Sequence, residues 1–365
     1  MRIAMIGQKG LPATHGGVEH HVQQLGSRLA ARGHEVLVYT RPNYSNPSLD
    51  TYMGMRLKSV SSVSTKHLDA ITHSALSTWD SRSEPLDIVH YHGIGPSIAT
   101  PLARKRGRRI VATIHGQDWR RAKWNGFATA ALRAGEYAAL HVPDATISVS
   151  RTLAQHYHDT RNRTVSYIPN GVTLAVGDDP GYLAQIGVRP SRYVVFVGRL
   201  VPEKGVHYLL DAWNQIGSEM KLVVVGDSSF TDEYATRLQK HASDRVIFTG
   251  YLYGAQLATV FRNAGLFVLP SDLEGLPIVL LESLGYGTPV LASDIPPNVE
   301  VLGESGEYFP AGNATALANR LQDLLPHMDD LKASALVMRQ RILNEYDWER
   351  VTDQTEQLYE SLLDT

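Results

Sequence analysis

The chain has 365 residues, 43% apolar and 20% charged, which describes an ordinary folded protein of about two domains and excludes a disordered or fibrous one. It has no cysteine, so disulfide frameworks, thiolate-held zinc and thiol catalysis are excluded. The net charge of −2 gives no sign of a polyanion partner, but it sums two unlike halves: residues 1–172 hold 21 Lys/Arg against 11 Asp/Glu (+10), and residues 173–365 hold 14 against 26 (−12).

Residues 2–7 form a short apolar run ending in Gly7, the pattern of a buried parallel strand. Met1 and Arg2 lead straight into it, too short a stretch for a secretory signal, and no apolar run approaches the roughly 18 residues of a membrane span. A cytoplasmic chain is expected. A glycine-bearing loop leads to Gly16 and Gly17, after which Val18, Val22, Leu25 and Leu29 recur at helical spacing and Gly33 marks the end. Strands are predicted at 35–40, 88–91, 110–114, 146–149 and 165–168, with helices between several of them. The segment 171–191, with Gly177, Asp178, Asp179, Pro180, Gly181 and Pro190, reads as a linker. The β-α-β pattern then restarts, with strands at 193–198, 221–226, 246–249, 266–269 and 290–292. The prediction is an α/β protein of two Rossmann-like, doubly wound parallel-sheet domains, 1–172 and 192–346, joined by a linker at 173–191. Its ligand site is expected in a cleft between them, beyond the C-terminal strand ends.

Four segments carry chemistry. In Glu274-Gly275-Leu276-Pro277-Ile278-Val279, Pro277 suits the first turn of a helix, and Leu276, Ile278 and Val279 would offer N–H groups to an anion. Glu282 follows Glu274 by eight residues, roughly 12 Å at helical rise. That is too far for a glycosidase carboxylate pair and suits two ends of an extended ligand; the alternative is two solvated glutamates. Arg199 and Lys204 sit at a strand end in the acidic half, where two cations would clamp a diphosphate, unless Arg199 merely pairs with Glu203. Gly16 and Gly17 would let a phosphate approach a helix N-terminus, although the spacing is not a dinucleotide fingerprint. His115 would point from a central strand end towards a sugar hydroxyl, or be structural. His90 and His92 share one face of a strand, but no carboxylate at ligand spacing accompanies them, so no metal site is expected.

Together these segments resemble the family 4 glycosyltransferases, retaining enzymes of the GT-B type. The resemblance rests on Gly16-Gly17, His115, Asn170-Gly171, Gly198-Arg199, Lys204-Gly205 and the Glu274/Glu282 pair, and runs over nearly the whole chain. Gly7-Gln8-Lys9-Gly10-Leu11-Pro12 and Gly16-Gly17-Val18-Glu19 are also similar to a bacterial branch of rhamnosyl- and exopolysaccharide-type transferases. The resemblance implies that Arg199 and Lys204 hold the donor diphosphate opposite the Gly16-Gly17 backbone. Glu274 would meet donor-sugar hydroxyls, Glu282 the ribose, His115 a distal sugar hydroxyl, and Tyr251 and Leu252 the base. Gly275, Leu276, Ile278 and Val279 would bind sugar and phosphate through N–H groups, and a last helix at 347–365, with Trp348, Val351, Leu358 and Leu362, would return to the first domain.

The implied reaction is hexosyl transfer, with retention, from a nucleotide-sugar (UDP first, GDP or dTDP next) to a sugar, lipid-linked or small-molecule hydroxyl acceptor, in polysaccharide or glycoconjugate synthesis. No Asp-x-Asp occurs, so no metal or other cofactor is expected. An epimerase or phosphorylase on the same fold, or a nucleotide-sugar-binding protein without activity, are the alternatives. No nucleic-acid partner is expected. The basic runs 104–109 and 120–124 are either solvated or attracted to an anionic membrane face or a phosphate-bearing acceptor, and Trp119 and Trp124 are either part of that patch or core.

Overall fold

The structure, a computed structural model, describes residues 1–13, 16–46, 48–63, 69–120, 126–227 and 232–364. The chain forms two units, Met1–Gly171 with Trp348–Thr365, and Val172–Asp347. In the first, the strands are β1 (Arg2–Ile6), β2 (Glu35–Thr40), β3 (Thr51–Tyr52), β4 (Met55–Ser59), β5 (Ile88–His92), β6 (Arg109–Ile114), β7 (Ala145–Ser148) and β8 (Ser166–Tyr167). Their order is β3-β4-β2-β1-β5-β6-β7-β8, parallel throughout except for β3 against β4. Alternation along β1 explains the burial of both faces: Ile3 and Met5 join one apolar cluster with Val22, Leu25 and Leu29, while Ala4 and Ile6 join another with Tyr91, Ala112 and Ile114.

The helix Trp348–Leu363 belongs to this unit, where Trp348, Val351 and Tyr359 enter the Ile3 cluster. Gly171 lets the chain pass beneath it, since a Cβ there would lie 2.5 Å from the Trp348 ring. Arg32 fans onto Glu349, Asp353 and Glu356 at 2.9, 2.7 and 2.7 Å. Partly solvated pairs of this kind contribute little individually, so the apolar face holds the helix.

In the second unit, β9 (Tyr193–Val197), β10 (Lys221–Val225), β11 (Val246–Gly250), β12 (Leu266–Leu269), β13 (Val290–Ser293) and β14 (Glu307–Phe309) form a parallel sheet in the order β11-β10-β9-β12-β13-β14. The segment expected to be a linker is folded into this unit. Pro180–Gln185 is helical with Tyr182 and Leu183 buried, Thr259 donates to the Asp178 carboxylate at 2.6 Å, and the Asp179 N–H bonds the Thr259 hydroxyl. The turn residues that suggested a linker are instead the cap of a short docked helix.

Three neighbouring strands leave the sheet through glycines. The Gly198 N–H bonds the Val225 carbonyl, and the Gly226 N–H bonds the Gly250 carbonyl at 2.8 Å. Gly226 has φ +131°, and a Cβ there would stand 1.9 Å from the Gly198 carbonyl oxygen, so any side chain would force these strand ends apart.

Candidate active site

Each sheet reverses its strand order near its middle, between β1 and β5 in the first unit and between β9 and β12 in the second. Crevices at such reversals, beyond the C-terminal strand ends, are where open α/β sheets bind ligands. In the second unit the loop after β9 carries Arg199 and a single 3₁₀ turn, Pro202–Lys204, and then Gly205 at φ +67°. A Cβ at Gly205 would lie 1.9 Å from the Pro270 carbonyl oxygen, so the glycine lets this loop close against the exit of β12. The Asp272 N–H completes the junction by bonding the Glu203 carbonyl at 3.0 Å.

That junction joins two segments read separately in the sequence. Lys204 Nζ stands 2.5 Å from Glu274 Oε1, and the Ser271 hydroxyl donates to the same oxygen at 2.7 Å. Behind them lies a buried polar chain: Ser293 donates to the Ser271 carbonyl at 2.5 Å, and the Asn298 amide donates to both the Ser293 carbonyl and its hydroxyl. Sequence reasoning missed Ser271, Ser293 and Asn298. Small polar residues at apolar strand ends are the sign that could have found Ser271 and Ser293, because buried polar groups are as a rule hydrogen-bonded.

The turn after Glu274 corrects one expectation. Pro277 is not in the first helical turn; it is the extended cap residue (ψ 96°) of the helix Ile278–Gly285, and its carbonyl accepts from Leu280 and Leu281. The helical-rise estimate of the Glu274–Glu282 separation therefore fails, since residues 274–277 are not helical. Ile278 and Val279 are the first two helical residues, and no described residue accepts their N–H groups. Glu282 lies on this helix without a hydrogen-bond partner among the described residues, and burial pushes its carboxyl up to about 8. Tyr251, just beyond β11, donates its hydroxyl to the Asp227 carbonyl at 2.9 Å, and Leu252 is buried beside it. Gly275 and Leu276 make the bend between Glu274 and the cap.

In the first unit Gly16, at φ +109°, caps the helix Gly17–Ala31, and the Glu19 side chain folds back on it to accept the Lys9 N–H at 2.9 Å. His115 follows β6 and is half-buried, with His21 and His92 beside it. Ring centroids are 4.8 Å from His115 to His21, 5.3 Å from His21 to His92 and 5.8 Å from His92 to His115. Burial lowers all three, His21 to about 4 and the other two well below the usual imidazole range, so each is neutral at pH 7. His90 lies 4.1 Å behind His92, with both ring nitrogens engaged by Tyr359 and Thr113. His21 escaped the sequence reading, although a histidine on the helical stripe of Val18, Val22 and Leu25 was the available signal.

The basic run 104–109 is not uniformly solvated. Arg108 is buried, donating to the Ser81 and Glu84 carbonyls, and Arg109 stands 3.6 Å from Asp144. Trp119 is half-buried, bonded to Glu136 at 2.9 Å and faced by Arg120 and Arg133. The expected patch at 121–124, including Trp124, lies outside the described residues.

Two family models match the chain, Glycosyltransferase Family 4 over residues 15–176 and Glycosyl transferases group 1 over residues 185–334. A phosphatidyl-myo-inositol mannosyltransferase of Mycobacterium leprae is 29% identical over 99% of this chain and 97% of the relative. Sucrose-phosphate synthase of Thermosynechococcus elongatus superposes with a TM-score of 0.85 at 24% identity, covering 100% of this chain and 99% of the other. HepE of Anabaena, solved with UDP and glucose, gives 0.81 at 20% identity over 99% and 100%. With two parallel α/β units and these matches, the chain is a glycosyltransferase of GT-B architecture. Across both halves, it belongs to the family 4 glycosyltransferases. No helix among the described residues is long and apolar enough to cross a membrane.

Proposed function

We propose that the chain moves a hexosyl group, with retention of anomeric configuration, from a nucleotide-sugar to a hydroxyl acceptor without a metal ion. The observation that carries this reading is the Lys204–Glu274–Ser271 junction at the reversal of the second sheet. It sets a cation and a carboxylate in contact beside the helix that offers the Ile278 and Val279 N–H groups. As the bond between the anomeric carbon and the diphosphate breaks, the electron pair leaves with the diphosphate oxygen. Arg199, Lys204 and the two N–H groups stabilise that charge, each fixed donor contributing about 2.7–4 kcal/mol. The acceptor oxygen attacks from the same face, and its proton passes to the departing phosphate. Glu274 holds sugar hydroxyls, His115 a distal one, Glu282 the ribose, and Tyr251 and Leu252 border the base. UDP is the first donor nucleotide to test, since HepE of Anabaena was solved with it.

Turnover of UDP-, GDP-, dTDP- and ADP-sugars in excess EDTA, with product configuration read by NMR, tests the proposal. We expect one donor class to turn over with retention at full rate in chelator. Inversion, or activity that returns only with a divalent ion, would overturn it.

For the acceptor side we propose peripheral contact with an anionic membrane surface. Trp79 is 68% exposed with Arg82 over its ring, and Arg82 also donates to the carbonyl of exposed Leu102. Arg104, Lys105 and Arg106 are exposed close by in sequence, and each would gain about 1 kcal/mol near anionic lipid. Co-sedimentation with phosphatidylglycerol vesicles is expected at low salt and should fade with added salt; no binding at low salt rejects the contact.

A further inference from the structure

His21, His92 and His115 come from three separate elements: the helix Gly17–Ala31, the last residue of β5 and the residue following β6. One ring nitrogen from each lies within 4.8 Å of the others. A tetrahedral ion held at 2.0–2.1 Å by each imidazole needs those nitrogens about 3.4 Å apart, so side-chain rotation by little more than 1 Å closes the set. Four buried nitrogens in this group have no hydrogen-bond partner among the described residues: His21 Nε2, His115 Nε2 and both of His92. Each neutral imidazole carries one lone pair, so the three rings offer three acceptors to one occupant, and leaving a buried acceptor without a partner costs about 1–3 kcal/mol.

The surroundings specify what kind. The Asn170 side-chain oxygen lies 2.8 Å from His21 Nδ1, which fixes the proton on Nδ1 and leaves the Nε2 lone pair for the cluster. An oxygen on the far nitrogen is the usual support of a metal-bound imidazole. His90, the fourth histidine of the stack, is excluded because both its nitrogens are engaged. Among the described residues no carboxylate joins the set, and imidazole alone suits zinc, copper or nickel, not magnesium or calcium. His115 is half-buried, and three imidazoles leave the fourth position of a tetrahedral ion to a water or other exogenous ligand.

We propose that His21, His92 and His115 bind one divalent transition-metal ion of the zinc type, with Asn170 orienting His21. Its consequence for catalysis rests on the reading of His115 as a sugar contact: an ion on His115 removes that contact, so the metal is inhibitory and transfer in chelator is the uninhibited rate.

The test separates binding from activity. Full-length chain freed of metal and of any histidine tag is titrated with Zn²⁺ against a chromophoric chelator, and with Co²⁺ read by its visible spectrum. One ion per chain and the intense absorption of low-coordinate, nitrogen-bound cobalt are expected. Binding should be lost in His92→Gln and His21→Gln, weakened about 10–100-fold in Asn170→Ala, and unchanged in the exposed His158→Gln and His241→Gln variants. Absence of stoichiometric binding, a pale octahedral cobalt spectrum, or unaltered binding in Asn170→Ala rejects the site. The wild-type cobalt spectrum decides even where the histidine variants fail to fold. Binding without inhibition keeps the metal site and refutes the role given to His115.

Discussion

Lys204→Ala is expected to slow sugar transfer by about 10²–10³-fold, the loss seen when one fixed donor to a developing charge is removed. It should weaken nucleotide binding too, because the ammonium serves the diphosphate in the ground state as well as at the transition state. Glu274→Ala is expected to behave differently. Transfer should be lost, while nucleotide affinity holds or rises, since Lys204 is then released from the carboxylate that stands 2.5 Å away. The double variant should lose less than the two single losses combined, as expected of groups in direct contact. Steady-state rates with calorimetric nucleotide binding on the three variants check this, and wild-type-like turnover in Glu274→Ala refutes the assigned role.

The second large effect is on stability, and its sign differs between the two units. His21 and His73 in the first are held at about 4 against an ordinary 6.5, chiefly by burial and, for His73, also by nearby Arg41. His90, His92 and His115 are lowered in the same direction by burial. These side chains stay neutral when folded and take up protons on unfolding. The stability is therefore complete above pH 6.5 and is lost as pH falls from 6.5 towards 4. For His21 alone the loss is about 3 kcal/mol, a large share of the roughly 5–15 kcal/mol that keeps a domain folded. In the second unit Glu282 is raised to about 8, so its contribution is complete below about pH 4.5 and is lost as pH rises through 8. Hydrogen exchange at pH 7.5 and 5.5 should show the first unit losing protection on acidification. Glu282→Gln should flatten the alkaline decline of the second. Uniform protection of the first unit at both pH values would falsify the histidine argument.

The buried strands were legible because a strand covered on both faces reads as an unbroken apolar run, as at 193–197 and 222–225. β3, two residues long, and β14, three, carry too little pattern to be read, and β4 alternates as a half-covered strand does. For the site, residue types at strand ends pointed to Lys204 and Glu274 separately. Their contact depends on a sheet reversal and on Gly205 passing the Pro270 carbonyl, and neither is written locally. Pro277 misled because the same residue suits both the cap and the first turn. The histidine cluster was half visible: His90 and His92 announced themselves by spacing. The structure sets His21, not His90, beside His92 and His115, because Tyr359, 269 residues away in sequence, has already taken a nitrogen of His90.

The return of Trp348–Leu363 to the first unit also has a consequence for the order of synthesis. The second unit has all its residues once Asp347 has been made, whereas the first still lacks the helix that brings Trp348, Val351 and Tyr359 into its core. Domains commonly fold from the N-terminus as the chain emerges. Here the half that is made first is the last that can close, and until then the apolar residues beneath that helix lack their cover.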